Sequence, residues 1–103
     1  MPAFDPIPYL HGVTTDKAGI AALFGETLQT VDSWVRRGCP CQRSGGVRSP
    51  LTFDTAQVIA WRTIADAHAA GGERAARAVR LQFEKMGLEA ELARRSGGRR
   101  RHD

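Results

Sequence analysis

Apolar and polar residues between positions 14 and 40 recur with the period of two short helices separated by a glycine. Ala21 precedes Gly25 by four residues. Val31 follows that glycine by six, and Trp34 lies three further on. Two helices that cross at a wide angle need a small residue at their contact, a glycine free to adopt positive φ, and apolar anchors on the second helix. The other apolar residues expected on the buried side are Ile20, Leu23 and Phe24. The pattern predicts a helix-turn-helix, and an ordinary helical hairpin without a nucleic-acid role is the alternative.

Capping residues mark the ends of these two helices. The first helix is expected to run to about Phe24 and to begin after a polar cap. Thr27 opens the second helix, Gly38 ends it, and Pro40 prevents its continuation. The candidate caps of the first helix are Thr14, Thr15 and Asp16, and the turn between the helices is Gly25 and Glu26.

Two short extended segments follow, around a glycine-rich reversal in CPCQRSGGVRSPLTFD. Such a reversal between strand-like runs is typical of a β-hairpin, and a hairpin directly after a recognition helix is a wing. The reversal is expected at Ser44, Gly45 and Gly46, and it is flanked by Arg43 and Arg48. We interpret it as a wing that contacts DNA; a plain surface loop is the alternative.

A third helix is expected from Asp54. Gln57, three residues later, supplies the reciprocal half of a capping box, and Phe53 is the apolar staple before it. Helical spacing indicates that Trp34 and Trp61 are core residues rather than platforms for base stacking.

A C-terminal helix is predicted over residues 73–95, after Gly71 and Gly72. Its apolar residues recur at steps of three and four, which is typical of a heptad seam. Gly87 interrupts this seam, and a helix that folds back onto its own core is the alternative to self-association. The seam comprises Ala76, Val79, Phe83, Met86, Ala90 and Ala93, broadened by Leu81, Leu88 and Leu92; the oligomerisation residues predicted from it are Val79, Phe83, Met86 and Ala90.

The chain therefore divides into an extended, proline-containing N-terminal arm (residues 1–13), a DNA-binding domain (14–70), the C-terminal helix (73–95) and a basic tail (96–103) expected to be disordered. Apolar residues of the arm are expected to pack on the domain. The fold class predicted is mainly α: a winged helix-turn-helix of three helices and a short β-hairpin, followed by a C-terminal helix.

Charge favours an anionic partner. The formal net charge is +4 and the sequence pI is about 9.8. Lys17 and Lys85 are the only lysines, and the other basic residues are arginine, which forms bidentate contacts with phosphate and guanine. The second helix would enter a major groove of double-stranded DNA. Its candidate contacts are Thr27, Gln29, Thr30, Asp32, Ser33 and Arg36, with Arg37, Arg43 and Arg48 on flanking phosphates or in the minor groove.

An enzyme is not expected, because the chain has no phosphate-binding loop with the GxxxxGK[ST] pattern and its histidines are scattered. Cys39 and Cys41 flank Pro40 and offer only two of the four ligands that a structural zinc site needs, so we predict no metal or cofactor. Neither a membrane span nor a secretory leader is recognised, so the expected location is the cytoplasm.

The run IAALFGETLQTVDSWVRRGCP, followed by a glycine-rich loop and FDTAQVIAW, resembles the N-terminal winged helix-turn-helix domain of the small terminase subunit of lambda-like phages. The resemblance covers roughly Thr14 to Trp61. It implies a non-catalytic, dimeric DNA reader that marks the viral packaging site and recruits a large subunit with ATPase and nuclease activity. Winged domains of excisionases and MerR-type regulators share much of the first half, so a transcriptional regulator or excisionase is the alternative.

Overall fold

The computed structural model describes residues 4–43, 45–46 and 48–100, with side chains to residue 97. Its elements are β1 (Thr14–Thr15), α1 (Lys17–Phe24), α2 (Leu28–Arg36), β2 (Gln42–Arg43), β3 (Leu51–Asp54) and a helical run over Thr55–Arg100. Gly72 has non-helical dihedral angles (φ 78°, ψ −166°) and divides that run. We call the part before it α3 (residues 55–71) and the part after it α4 (residues 73–100). The mainly helical class with a small sheet is confirmed.

Local capping fixes both ends of α1 and the start of α2. Asp16 is the cap among the three candidates, because its Oδ1 accepts a hydrogen bond from the Gly19 N–H at 2.8 Å. Gly25 ends α1 with φ 66°. Thr27 caps α2 by accepting from the Thr30 N–H at 3.1 Å. The predicted helix boundaries are confirmed here because each depends on neighbouring residues.

The main core lies where α1, α2, β3 and α3 meet. Trp34 is buried at its centre, edge-on to Phe24 with 5.3 Å between ring centroids and 6.1 Å from the ring of Trp61. Trp34 is thus a core residue, as predicted, and Trp61 is half-buried against the same cluster. Leu23, by contrast, is exposed, so its expected place in the core is wrong. The buried apolar residues of this core are Ile20, Ala21, Val31, Trp34, Cys39, Phe53 and Val58.

The sheet has three antiparallel strands in the order β1-β3-β2. The predicted hairpin is present, with Gln42 opposite Thr52 and Arg43 opposite Leu51. Strand β1 was not predicted, because its threonines are also good helix caps and only their pairing with β3 makes them a strand. Ser44, part of the expected reversal, lies outside the described residues.

The side-chain amide of Gln57 makes three hydrogen bonds to the N-terminal arm. Ile7 and Leu10 are buried, as expected of the arm's apolar residues. The Gln57 Nε2 group donates to the carbonyls of Ile7 (2.9 Å) and Leu10 (2.6 Å), and its Oε1 accepts from the Ile7 N–H (2.8 Å). The reciprocal capping box is therefore wrong. Asp54 does cap α3, accepting from the backbone N–H groups of Ala56 and Gln57.

Helix α4 turns back at Gly72 and packs on the arm. Phe83 joins the cluster formed by Ile7, Leu10 and Ala60. Arg80 donates to the Asp5 carbonyl at 2.9 Å, and its guanidinium lies 5.6 Å from the centre of the Phe4 ring. The alternative of a helix that folds back is therefore confirmed for this face, where Phe83 is half-buried against the arm.

Gly87 has a packing role rather than the disruptive one expected. It is buried, and a Cβ atom there would collide with the carbonyl oxygen of Pro8 and approach the backbone of Tyr9 and Leu10. The arm makes a tight turn at this point, with Tyr9 at φ 63° and the Leu10 N–H bonded to the Ile7 carbonyl. The helix and the arm backbone can approach this closely only because residue 87 lacks a side chain.

Two further features of α4 differ from expectation. The helix continues to Arg100, so residues 96–100 are helical where a disordered tail was expected, and residues 101–103 lie outside the description. The three leucines do not broaden the seam, because they lie on the outer side of the helix: Leu81 is 66% exposed, Leu88 49% and Leu92 51%. This outer leucine row is an apolar surface separate from the one that covers the arm.

We expect Gln57→Leu to lower the free energy of unfolding by about 3 kcal/mol, because three buried backbone groups of the arm lose their partner at a cost of about 1–3 kcal/mol each, partly offset by apolar burial. Urea denaturation followed by circular dichroism measures it. Gln82→Leu, at an exposed position of α4, is the matched control and is expected to change little. Equal stabilities for the two variants would contradict this role of Gln57.

We expect Gly87→Ala to destabilise the protein even though alanine favours a helix by about 1 kcal/mol, because the new methyl group collides with the arm backbone and overpacking costs about 1–3 kcal/mol. Gly97→Ala is the control, since nothing lies within 4 Å of a Cβ atom there. Thermal unfolding of both variants should shift in opposite directions. A gain in stability for Gly87→Ala would mean that the arm does not pack against α4.

Candidate nucleic-acid interface

Helix α2 carries a polar stripe on the side opposite the core. Successive residues of an α-helix are rotated by about 100°, so residues four and seven apart lie on the same side. Gln29, Ser33 and Arg36 have this spacing, and we call them the α2 stripe. Gln29 and Arg36 are exposed and Ser33 is half-buried, whereas Val31 and Trp34 face the core. The residues predicted to meet base edges are thus brought together on one accessible surface.

The two threonines at the start of α2 are linked to each other. The Thr27 and Thr30 hydroxyl oxygens are 3.1 Å apart, and the Thr27 oxygen also accepts the capping hydrogen bond from the Thr30 N–H. Thr27 is exposed and Thr30 is half-buried. Both hydroxyls therefore stand at the N-terminal end of α2, where one of them also stabilises the helix.

Asp32 has a partner within the chain. Its carboxylate lies 2.7 Å from the Lys17 ammonium group, and the two side chains are 42% and 38% exposed. The pair joins α2 to the first turn of α1. At this exposure the pair contributes little to stability, but it places a positive charge beside the one carboxylate on this side of α2. The predicted role of Asp32 as a contact to DNA stays a prediction.

Exposed arginines lie at the end of the α2 stripe and after it along the chain. Arg36 and Arg37 are at the C-terminal end of α2, and Arg43 and Arg48 belong to the hairpin. The Arg43 Nη1 group donates to the carbonyl of Ser49, so this arginine also closes the hairpin. Within the described part of the chain, Arg36, Arg37 and Arg48 make no ion pair with a carboxylate.

Arg62, which contacts the core side of α2, was not identified from the sequence. Its guanidinium carbon lies 4.6 Å from the centre of the Trp34 ring, in a cation–π contact that supports α2 from beneath. The sequence signal for this position is its spacing of four residues from Val58, which is fully buried and lies on the same side of α3. A charged residue at that spacing must either reach solvent or find a partner in the core, and here it finds an aromatic ring.

The cysteines belong to the core and its edge. Both are free thiols; burial raises the pKa of Cys39 to about 12, with the nearby Cys41 adding to the shift, and burial also raises the pKa of Cys41. Such thiols are mainly protonated near neutral pH. Among the described residues, no group of three or more histidine, cysteine or acidic side chains is placed to hold a metal ion. In the same part of the chain, no helix is long and apolar enough to cross a membrane.

The chain is similar in sequence to proteins named as a terminase small subunit and as DNA-packaging proteins. Over 52 residues, or 50% of the chain, it is 35% identical to the terminase small subunit of Escherichia phage lambda. The same identity over 52 residues relates it to the DNA-packaging protein NU1 homolog and to the prophage DNA-packing protein NohA, both of Escherichia coli strain K12. The resemblance to terminase small subunits is thereby confirmed.

The similarity is confined to part of those relatives. The matched segment spans 29% of the lambda protein and 28% of NohA, so the chain covers less than a third of the length of the curated relatives that it matches. No protein-family model matches the chain. What the longer proteins do as a whole is therefore not carried over to this chain by the match.

Proposed function

We propose that this chain is the DNA-recognition part of a phage or prophage terminase small subunit and that it acts without catalysing a reaction. The observation that carries the proposal is the α2 stripe, opposite the core, with Arg36 and Arg37 at its end making no ion pair in the described chain, within a sequence similar to terminase small subunits. The proposed architecture is a winged helix-turn-helix in which α2 enters the major groove of duplex DNA. The site of action is the cytoplasm of a bacterial host.

Two residues of the α2 stripe are suited to read bases. The Gln29 amide can make a bidentate pair with adenine, and the Arg36 guanidinium can do so with guanine. Ser33 lies between them and can donate to either a base or a phosphate. The threonine hydroxyls at the start of α2 are suited to backbone phosphates.

The flanking arginines would hold the DNA rather than read it. Arg37 and Arg48 are exposed and lie beyond the α2 stripe, one at the helix end and one in the proposed wing. Arginine at such positions neutralises phosphates or enters the minor groove. Arg43 has a second role, since its hydrogen bond to Ser49 shapes the wing itself. Its loss would change both charge and hairpin geometry.

Packaging also requires a motor, so we propose that the large terminase subunit is a partner of this chain. The name of the lambda relative, a small subunit of a terminase, supports this proposal. The partner surface is expected away from α2, because α2 would be covered by DNA.

Variants of Gln29, Arg36 and Arg48 separate base reading from charge. With a cognate duplex selected from a random library, Gln29→Ala and Arg36→Ala should relax preference at particular base pairs by about 1–3 kcal/mol. Arg48→Ala should weaken binding to all duplexes by a similar factor. It should also reduce the slope of log affinity against log salt concentration by about one unit. Fluorescence anisotropy across a salt series measures both quantities.

Arg74→Ala is the matched control for these measurements, because Arg74 is exposed on α4 and outside the proposed interface. Arg43→Ala is a poor substitute for Arg48→Ala, since it also removes a hydrogen bond within the hairpin. An absence of duplex binding by the wild-type chain at low salt would refute the proposal. If Arg48→Ala relaxed the sequence preference and both α2 variants left it unchanged, the proposal would have assigned base reading to the wrong element.

We further propose that the protein forms homo-oligomers through the outer face of α4. The predicted residues Val79 and Ala90 remain near the edge of the face that covers the arm, and Met86 is exposed beside them. Phe83 is occupied by the arm, so the larger apolar surface still open is the outer leucine row. Exposed apolar surface of this extent is typical of protein interfaces.

We expect Leu88→Asp to dissociate the oligomer, because it places a carboxylate in the middle of the outer leucine row and forfeits about 1.5–3 kcal/mol of apolar burial for each chain. Met86→Asp tests the predicted seam instead and should have less effect. Ala78→Asp, exposed on the same helix, is the control. Light scattering measures the molar mass of all four proteins. A monomeric wild type at high concentration would contradict this part of the proposal.

A further inference from the structure

An apolar groove shares one residue, Arg37, with the proposed DNA-binding surface and is otherwise formed by different residues. It is formed by the middle of α3, the start of α4 and the arm, it reaches the C-terminal end of α2, and its volume is about 550 Å³. Pockets that bind ligands have volumes of about 300–1,000 Å³ and are lined mainly by apolar side chains. The apolar residues that line this groove are Phe4, Trp61, Ile64, Ala65 and Ala76.

The polar residues at the same groove give it a positive character. Arg37, Arg62 and His68 line it together with one carboxylate, that of Asp66. Among the described residues neither arginine makes an ion pair. The guanidinium of Arg62 is occupied on one face by the Trp34 ring, which leaves its N–H groups at the rim. The groove thus combines an apolar floor with a rim on which two arginines outnumber one carboxylate.

We propose that this groove binds an acidic amphipathic helix of a partner protein. Leucine or phenylalanine side chains of that helix would fill the floor, and its glutamates would pair with Arg37 and Arg62. Helix-in-groove recognition of this kind depends on apolar anchors at helical spacing. Duplex DNA fits less well, because a phosphate backbone would leave the apolar floor unfilled. A second copy fits less well too, since this chain has a net charge of +4.

The binding measurement uses a fluorescein-labelled helical peptide with leucine and phenylalanine at three- and four-residue spacing and glutamates on both flanks. The full chain should bind it, with affinity that falls as salt rises because the rim contacts are electrostatic. A peptide in which lysines replace the glutamates should bind at least about tenfold more weakly. Fluorescence anisotropy without DNA measures both, so failure here and failure of the DNA-binding proposal are separate results.

Ala65→Glu places a carboxylate on the floor of the groove. It should weaken binding of the acidic peptide at least about tenfold. Ala69→Glu is the matched control, because residue 69 is exposed on α3 and does not line the groove. Circular dichroism of both variants shows whether α3 is intact. With intact helices, undiminished binding by Ala65→Glu would overturn the proposal.

Three other results would overturn it as well. The first is an absence of binding by the wild-type chain. The second is equal affinity for the glutamate and lysine peptides, which would show that the rim does not select charge. The third is dissociation of a wild-type oligomer by Ala65→Glu with no peptide binding, which would make the groove a contact between copies.

Discussion

The arm, α3 and α4 depend on the side-chain amide of Gln57. This group makes three hydrogen bonds to the backbone of Ile7 and Leu10, so it satisfies polar groups that burial would otherwise leave without partners. With those groups satisfied, the arm can lie on α3 as an apolar layer. Helix α4 then finds a surface to cover, and the reversal at Gly72 becomes favourable. A local substitution at one residue of α3 therefore affects three segments that are distant in sequence.

The candidate DNA-binding surface has a different support. Trp34 fixes α2 from inside, packed against Phe24 and Trp61 and covered by the guanidinium of Arg62. Aromatic pairs of this geometry contribute about 0.5–1.5 kcal/mol beyond their buried area, so the orientation of α2 is well determined. The side chains opposite Trp34 are then held at a rigid surface rather than on a loop. Such rigidity favours recognition because less conformational entropy is lost on binding.

Sequence reasoning succeeded where structure is determined within a few residues and failed where it is determined by distant contacts. Asp16, Gly25 and Thr27 mark helix ends through bonds to near neighbours, and their positions were predictable. Gln57 has the spacing of a local cap partner, but a proline-containing segment 50 residues away competes for its amide. Nothing in the local pattern reveals that competition.

The same distinction applies to α4 and to the candidate site. The apolar residues of α4 were identified, but their division between an inner face on the arm and an outer leucine row depends on which way the helix turns at Gly72. For the site, helical spacing sufficed to group Gln29 with Arg36. Helical spacing did not predict the ion pair of Asp32 with Lys17 or the contact of Arg62 with Trp34. Each of these contacts joins α2 to a different helix.

The contact between Arg80 and the carbonyl of Asp5 joins residues 75 positions apart. Closing so long a loop is entropically costly, and contacts of large sequence separation form slowly. Docking of the arm against α4 is therefore a late event in folding. By the same reasoning its detachment is the opening that requires the least rearrangement of the rest of the molecule. We therefore expect residues 4–10 to exchange their amide protons with solvent while the tryptophan core stays closed.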